Sequence, residues 1–265
     1  MTFKKIAVTA LLILIVLCQN VYPQRTKSSL SAGNQRRAEK SLKDSRYFFY
    51  FINTTISNSG TEDEKKIFTE AVRRDLLSRM LYMKFAFNPA MTEIIKTHQL
   101  LITLFSTIAQ REIEDAKNLL NVNAPGILKS GCRSAKKYMS LGYRSVDWAG
   151  KVMVMSDNLP ENNYSIKIFE YVKAIKNAKY GKRYAIIALI ESRIPPEKRG
   201  RINYNKYKTL KELIEKYIPE NREKYLFIHS DNFYKIQSSE SLYDKIISSP
   251  ELNNIPEYKD YIKEN

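Results

Sequence analysis

The sequence predicts an all-α protein, an elongated bundle of long antiparallel helices with an irregular C-terminal segment. Three observations carry this. Only 8 Gly and 9 Pro punctuate 265 residues, too few for the turns of a many-stranded protein. Apolar residues recur at three- and four-residue steps over four long stretches, the period of a helix face. From residue 90 to 121 no Gly or Pro interrupts that spacing.

Met1 to Leu17 reads as a secretory signal. Lys4 and Lys5 form its basic start, and Ile6 to Leu17 is a run of twelve residues without charge. A bilayer span takes ~20 residues, so the run fits a signal core better than an uncleaved anchor. Residues 1–18 are therefore expected to be removed on export. Cys18 is a candidate lipidation site, although Leu17 stands where a lipoprotein signal usually carries a small residue. The favoured reading is a soluble exported protein, periplasmic in location. An outer-surface or lipid-anchored protein is the alternative.

Residues 19–46 read as a flexible basic lead-in, and 24–46 carry seven basic and two acidic residues. Residues 47–196 are expected to form the helical bundle domain. Tyr47 to Ile52 is aromatic and apolar, and its neighbours favour helix over strand. Thr61 and Glu64 have the spacing of a capping box, in which each side chain satisfies the other's exposed backbone N–H. The helix after them is expected to bury Ile67, Phe68, Ala71, Val72, Leu76, Met80 and Leu81 on one face. Asn88-Pro89 separates it from the strongest helix of the chain, residues 90–121, which at 1.5 Å per residue spans about 45 Å. Pro125 and Gly126 are expected to break that helix. Helices follow over 132–157 and 164–193, the second closed by Pro195-Pro196. Residues 197–265 read as a C-terminal extension packed on the bundle, with a helix near 206–217 and a brief extended piece at Leu226-Phe227-Ile228.

Charge locates a candidate interface. The formal charge is +16. Residues 47–128 hold nine basic and nine acidic residues, whereas 129–193 hold thirteen and five. Within helix 164–193, Ala174, Ala178, Gly181, Ala185 and Ala188 share an arc of ~80°. Side chains this small let another helix approach closely. Lys173, Lys176, Lys179 and Arg183 fall in an arc of ~120°. With Lys182 they are the expected docking face for an acidic protein partner. No zinc-finger, RNA-recognition or helix-turn-helix signature accompanies the charge, which argues against nucleic acid.

Chemistry is sparse. Two His and two Cys exclude a Cys/His zinc site and a disulfide scaffold. Serine-hydrolase, P-loop, zincin and dinucleotide motifs are missing. No catalytic residue, metal or cofactor is expected, and the chain is read as a non-enzyme. His98 lies on an apolar stripe and is expected to be a bonded core residue. The adjacent His229, Ser230 and Asp231 are not expected to converge as a triad. Cys132 starts a helix beside Arg133, which makes its thiol a candidate reactive group, but a buried or boundary cysteine is the favoured reading.

Three central runs carry a resemblance: Asn121-Val122-Asn123-Ala124-Pro125, Leu141-Gly142-Tyr143-Arg144, and Ala174 to Ala185 with its Asn177-Ala178-Lys179-Tyr180-Gly181-Lys182-Arg183 centre. Over residues 65–195 the chain resembles the flagellar coiling proteins of spirochaetes, or a sister family of exported helical proteins. That resemblance implies an all-helical periplasmic protein that coats a filament and catalyses nothing. The expected function is thus an exported scaffold that binds other proteins, with a flagellar sheath as the form the resemblance implies. The alternative is a surface protein that binds acidic polymers or anionic membrane through the basic helix face.

Overall fold

A computed structural model describes residues 24–199, 202–237 and 240–249, with side chains from Gly33 onward. The signal segment and Cys18 lie outside the described residues. Eight α-helices account for the described chain, and no strand occurs among the described residues. They are α1 (Gln24–Ser59), α2 (Glu62–Met83), α3 (Phe87–Lys129), α4 (Arg133–Asp157), α5 (Tyr164–Arg193), α6 (Tyr207–Tyr217), α7 (Arg222–Asn232) and α8 (Leu242–Ile247). Short 3₁₀ turns at Pro196–Lys198 and Pro219–Asn221 lead into the C-terminal helices.

Connections of two to six residues force consecutive long helices into antiparallel neighbours. The closest packing pairs α2 with α3, α4 with α5, and α3 with α5. Helix α3 is the spine. Its 43 residues span about 65 Å, and it touches every other long helix. Helix α5 is so enclosed that buried residues occur all round it, Lys179, Lys182 and Glu191 among them.

The two larger apolar cores lie along this spine. One is aromatic. Phe48, Phe49 and Phe51 of α1 meet Phe68 of α2 and Phe105 of α3. Rings at the Phe48–Phe105 and Phe48–Phe169 contacts stand edge to face, with centroids 6.1 and 4.8 Å apart, the arrangement that aromatic quadrupoles favour. The other core joins Leu120 and Ile186 to Leu210, Ile214 and Ile218, so the C-terminal helices complete it.

Where α4 crosses α5 the backbones nearly touch. A Cβ on Gly181 would stand 2.6 Å from Val146 Cγ2 and 3.4 Å from the Gly142 carbonyl. Ala174, Ala178, Ala185 and Ala188 are fully buried along the same helix.

The structure departs from the sequence reading in three elements. The lead-in is helix from Gln24, and Ala38 and Ser45 within it are buried. Its polar residues supply an exposed face, while the packed face continues the apolar run that begins at Tyr47. Helix α3 runs through Pro125 to Lys129. Pro125 and Asn121 both face outward, so water reaches the carbonyl that the missing proline N–H would have served. Ile127, one turn inward, is buried and draws the chain on as helix. Leu226-Phe227-Ile228 lies inside α7 and is not extended.

Candidate functional site

The Thr61 capping box is present. Glu64 N–H donates to Thr61 Oγ1 at 3.2 Å, and Thr61 N–H donates to Glu64 Oε2 at 2.8 Å. The same carboxylate receives Arg111 Nη1 from α3 on both oxygens. A local cap thereby fixes a guanidinium beside the α3–α5 contact.

Of the five expected docking cations, two are interior. Lys179 is 3% exposed. Its Nζ donates to Asp231 Oδ2 at 2.7 Å, to the Asp231 carbonyl at 3.0 Å and to Thr55 Oγ1 at 2.8 Å. Lys182 is 6% exposed and lies 3.1 Å from Glu112 and 3.2 Å from Asp115. Burial opposes its ammonium, but the two carboxylates outweigh that and raise its pKa above the ordinary lysine value. The expectation that Lys179 and Lys182 meet a partner is therefore corrected. Acids from α3 and α7, far away in sequence, take both charges.

The other three are partly engaged. Lys173 pairs with Glu170 at 2.6 Å. Lys176 Nζ sits 5.5 Å from the Phe51 ring centre and 5.9 Å from that of Tyr47. Arg183 donates to the Tyr204 carbonyl at 2.7 Å and lies 5.0 Å over Phe233. Four of the five cations thus tie α5 to other elements, while Lys173 is exposed and pairs within its own helix. Beside Lys182 a cavity of about 390 Å³ is lined by Arg111, Glu112, Asp115, Phe227 and Asp231. Its Lys182, Asp231 and Arg111 groups are already paired within the fold.

The residues with chemical potential are likewise committed. His98 is buried and shares a 3.0 Å hydrogen bond with Ser45 Oγ. Burial pushes its pKa down to about 4. His229 stacks on Tyr207 with centroids 4.5 Å apart, and its Nε2 donates to the Tyr207 carbonyl at 2.9 Å. Ser230 Oγ pairs with Tyr207 Oη, and Asp231 serves Lys179. The three consecutive residues do not act on one another. The Cys132 thiol is buried, which opposes ionisation, yet Ser134, backbone N–H groups and Arg199 together lower its pKa. Among the described residues no group of His, Cys, Asp and Glu is arranged to hold a metal ion.

Sequence reasoning missed the outer face of α4. Arg133, Lys137, Arg144, Trp148, Lys151 and Met155 are all exposed and fall within an arc of ~60°. Trp148, the sole tryptophan of the chain, is 53% exposed. Helix α4 packs its other side on α3 and α5. The signal was legible: Trp148 falls outside the stripe of Gly142, Val146, Ala149 and Val152 that the same helix buries.

Comparison with known proteins decides the family. A model for the surface protein adhesin OmpL37 matches residues 32–260. The chain belongs to that family. No curated protein and no solved structure matches it. The family is one of surface adhesins, which places the chain among exported, surface-type binding proteins. The match is not to the flagellar coiling proteins that the central runs resemble; the two have in common an exported protein. The matched stretch begins within α1 and extends past α8.

Proposed function

We propose that this protein is a non-enzymatic surface adhesin that engages an acidic protein partner through the outer face of α4. The observation that supports this reading is the exposed row of Arg144, Trp148, Lys151 and Met155 on a helix whose opposite side is locked into the bundle. Trp and Arg dominate the energetic centres of protein interfaces, because a rigid ring and a planar cation bury much area at little entropic cost. Arg133 and Lys137 extend the row, and neither has an ion-pair partner among the described residues. The charge concentrated in residues 129–193 thus reaches solvent chiefly here and not on α5. The cell-surface address follows from the family and from the signal read in the sequence.

Two measurements test the reading. Protease treatment of intact cells should remove the protein, and its survival would place it behind a membrane. Purified protein should bind immobilised acidic proteins in preference to basic ones, with the Trp148 emission shifting to the blue as its ring leaves water. Trp148→Ala should weaken binding by about 2 kcal/mol, the scale of an interface anchor. Unchanged affinity would move the interface elsewhere.

A further inference from the structure

The region where α1 passes the α2–α3 turn combines two features that the α4 face lacks. The first is a groove of about 650 Å³ between α1 and α2, lined by Arg36, Lys40, Lys43 and Arg46 with one acid, Glu39. Arg36, Arg37, Lys40 and Lys43 are exposed, and none has an ion-pair partner among the described residues.

The second is an apolar tip. Met83 is 70% exposed and Phe85 79% exposed. Phe85 holds a left-handed backbone, φ 60°, a conformation that a bulky side chain adopts only under constraint. Backbone bonds from Phe85 N–H to the Tyr82 carbonyl and from Ala86 N–H to the Leu81 carbonyl impose it. These are the bonds of a helix stop, and they leave the Phe85 ring exposed with the Phe87 ring edge-on beside it.

Groove and tip are one surface. Tyr82 lines the groove and contacts Phe87, with centroids 5.4 Å apart. The Asn34 side chain of α1 donates to Asn88 of α3 at 2.5 Å.

We infer that this surface docks on an anionic lipid bilayer, with the α1 cations on the phosphates and Met83 and Phe85 in the layer beneath them. The chemistry selects the bilayer. Cations and exposed apolar side chains adjoin on this surface, and a headgroup layer over hydrocarbon receives both. A sulfated polysaccharide matches the cations but has no hydrocarbon to receive Met83 and Phe85.

The test uses the chain from Gln19 onward, which keeps every described element. Neither the N-terminal apolar run nor a lipid on Cys18 then contributes. Co-sedimentation is measured with phosphatidylcholine vesicles with and without phosphatidylglycerol, and heparin binding is measured beside it. The protein should sediment with the anionic vesicles alone. The Arg36→Glu, Lys43→Glu double variant should weaken this by at least about tenfold, since each cation near an anionic surface counts for about a factor of five. Phe85→Gly relieves the backbone and so keeps the fold, yet should also bind about tenfold more weakly. Trp148→Ala should leave vesicle binding unchanged, which separates this surface from the proposed protein-binding face. Equal binding to neutral vesicles, full binding by the Phe85 variant, or heparin binding without vesicle binding would each overturn the inference.

Discussion

Lys179 shows what a buried charge demands. Its ammonium is matched by the Asp231 carboxylate, a carbonyl and a hydroxyl, which together fill its three donor positions. Removing one partner strands the other in a dry interior. Asp231→Ala should therefore destabilise the protein by about 3–5 kcal/mol, whereas Lys179→Met combined with Asp231→Leu should recover most of the loss. Urea unfolding of both variants checks this, and equal stability of the two would show that the pair is solvated. His98 has a complementary signature. Its pKa is held near 4, below the unfolded value of about 6.5. Above pH 6.5 the ring is neutral folded or unfolded, so it contributes no pH dependence there. As pH falls from 6.5 towards 4 only the unfolded chain takes the proton, and folding stability drops by up to about 3 kcal/mol. An NMR titration should show no protonation of His98 above pH 5.5; a ring titrating near 6.5 would contradict its burial.

Helices carry a second set of expectations. The α4–α5 crossing depends on Gly181, because Val146 is β-branched and cannot turn away from an added methyl. At Gly142 the facing atom is a terminal methyl of Leu120, which can shift more readily than the Cγ2 of a β-branched side chain. Gly181→Ala should cost about 1–3 kcal/mol by overpacking. Gly142→Ala should be nearly neutral, since the gain in helix propensity of about 1 kcal/mol offsets a smaller clash. Thermal unfolding of the pair decides it, and equal losses would mean that both contacts are rigid. The stripe of small residues was legible in the sequence because three-and-four spacing maps directly onto one helix face. The fate of the neighbouring lysines was not. Periodicity marks which residues share a side of α5, but only the acids of α3 and α7 determine that two of those lysines are interior.

At the scale of the whole molecule the C-terminal helices act as structural closure. Leu210, Ile214 and Ile218 cover Ile186 and Ile190, and α7 brings Asp231 to Lys179. A chain ended after Arg199 exposes that apolar surface and leaves Lys179 without its carboxylate. It should bind a hydrophobic dye strongly and fail to unfold cooperatively; a cooperative transition like that of the full chain would show that the extension is dispensable. The all-helical class, the Thr61 cap and the small-residue stripe were set by local periodicity and side-chain chemistry, which act over a few residues. The helical state of the lead-in, the passage of α3 through Pro125 and the interior place of Lys179 and Lys182 were decided by tertiary structure. Each depends on whether a given face meets solvent or another helix, and that is settled by partners 50 to 180 residues away along the chain. The sequence by itself determined how much positive charge the protein carries and in which stretches. Only the packed bundle decided which of those charges are held inside and which remain in water to meet a partner.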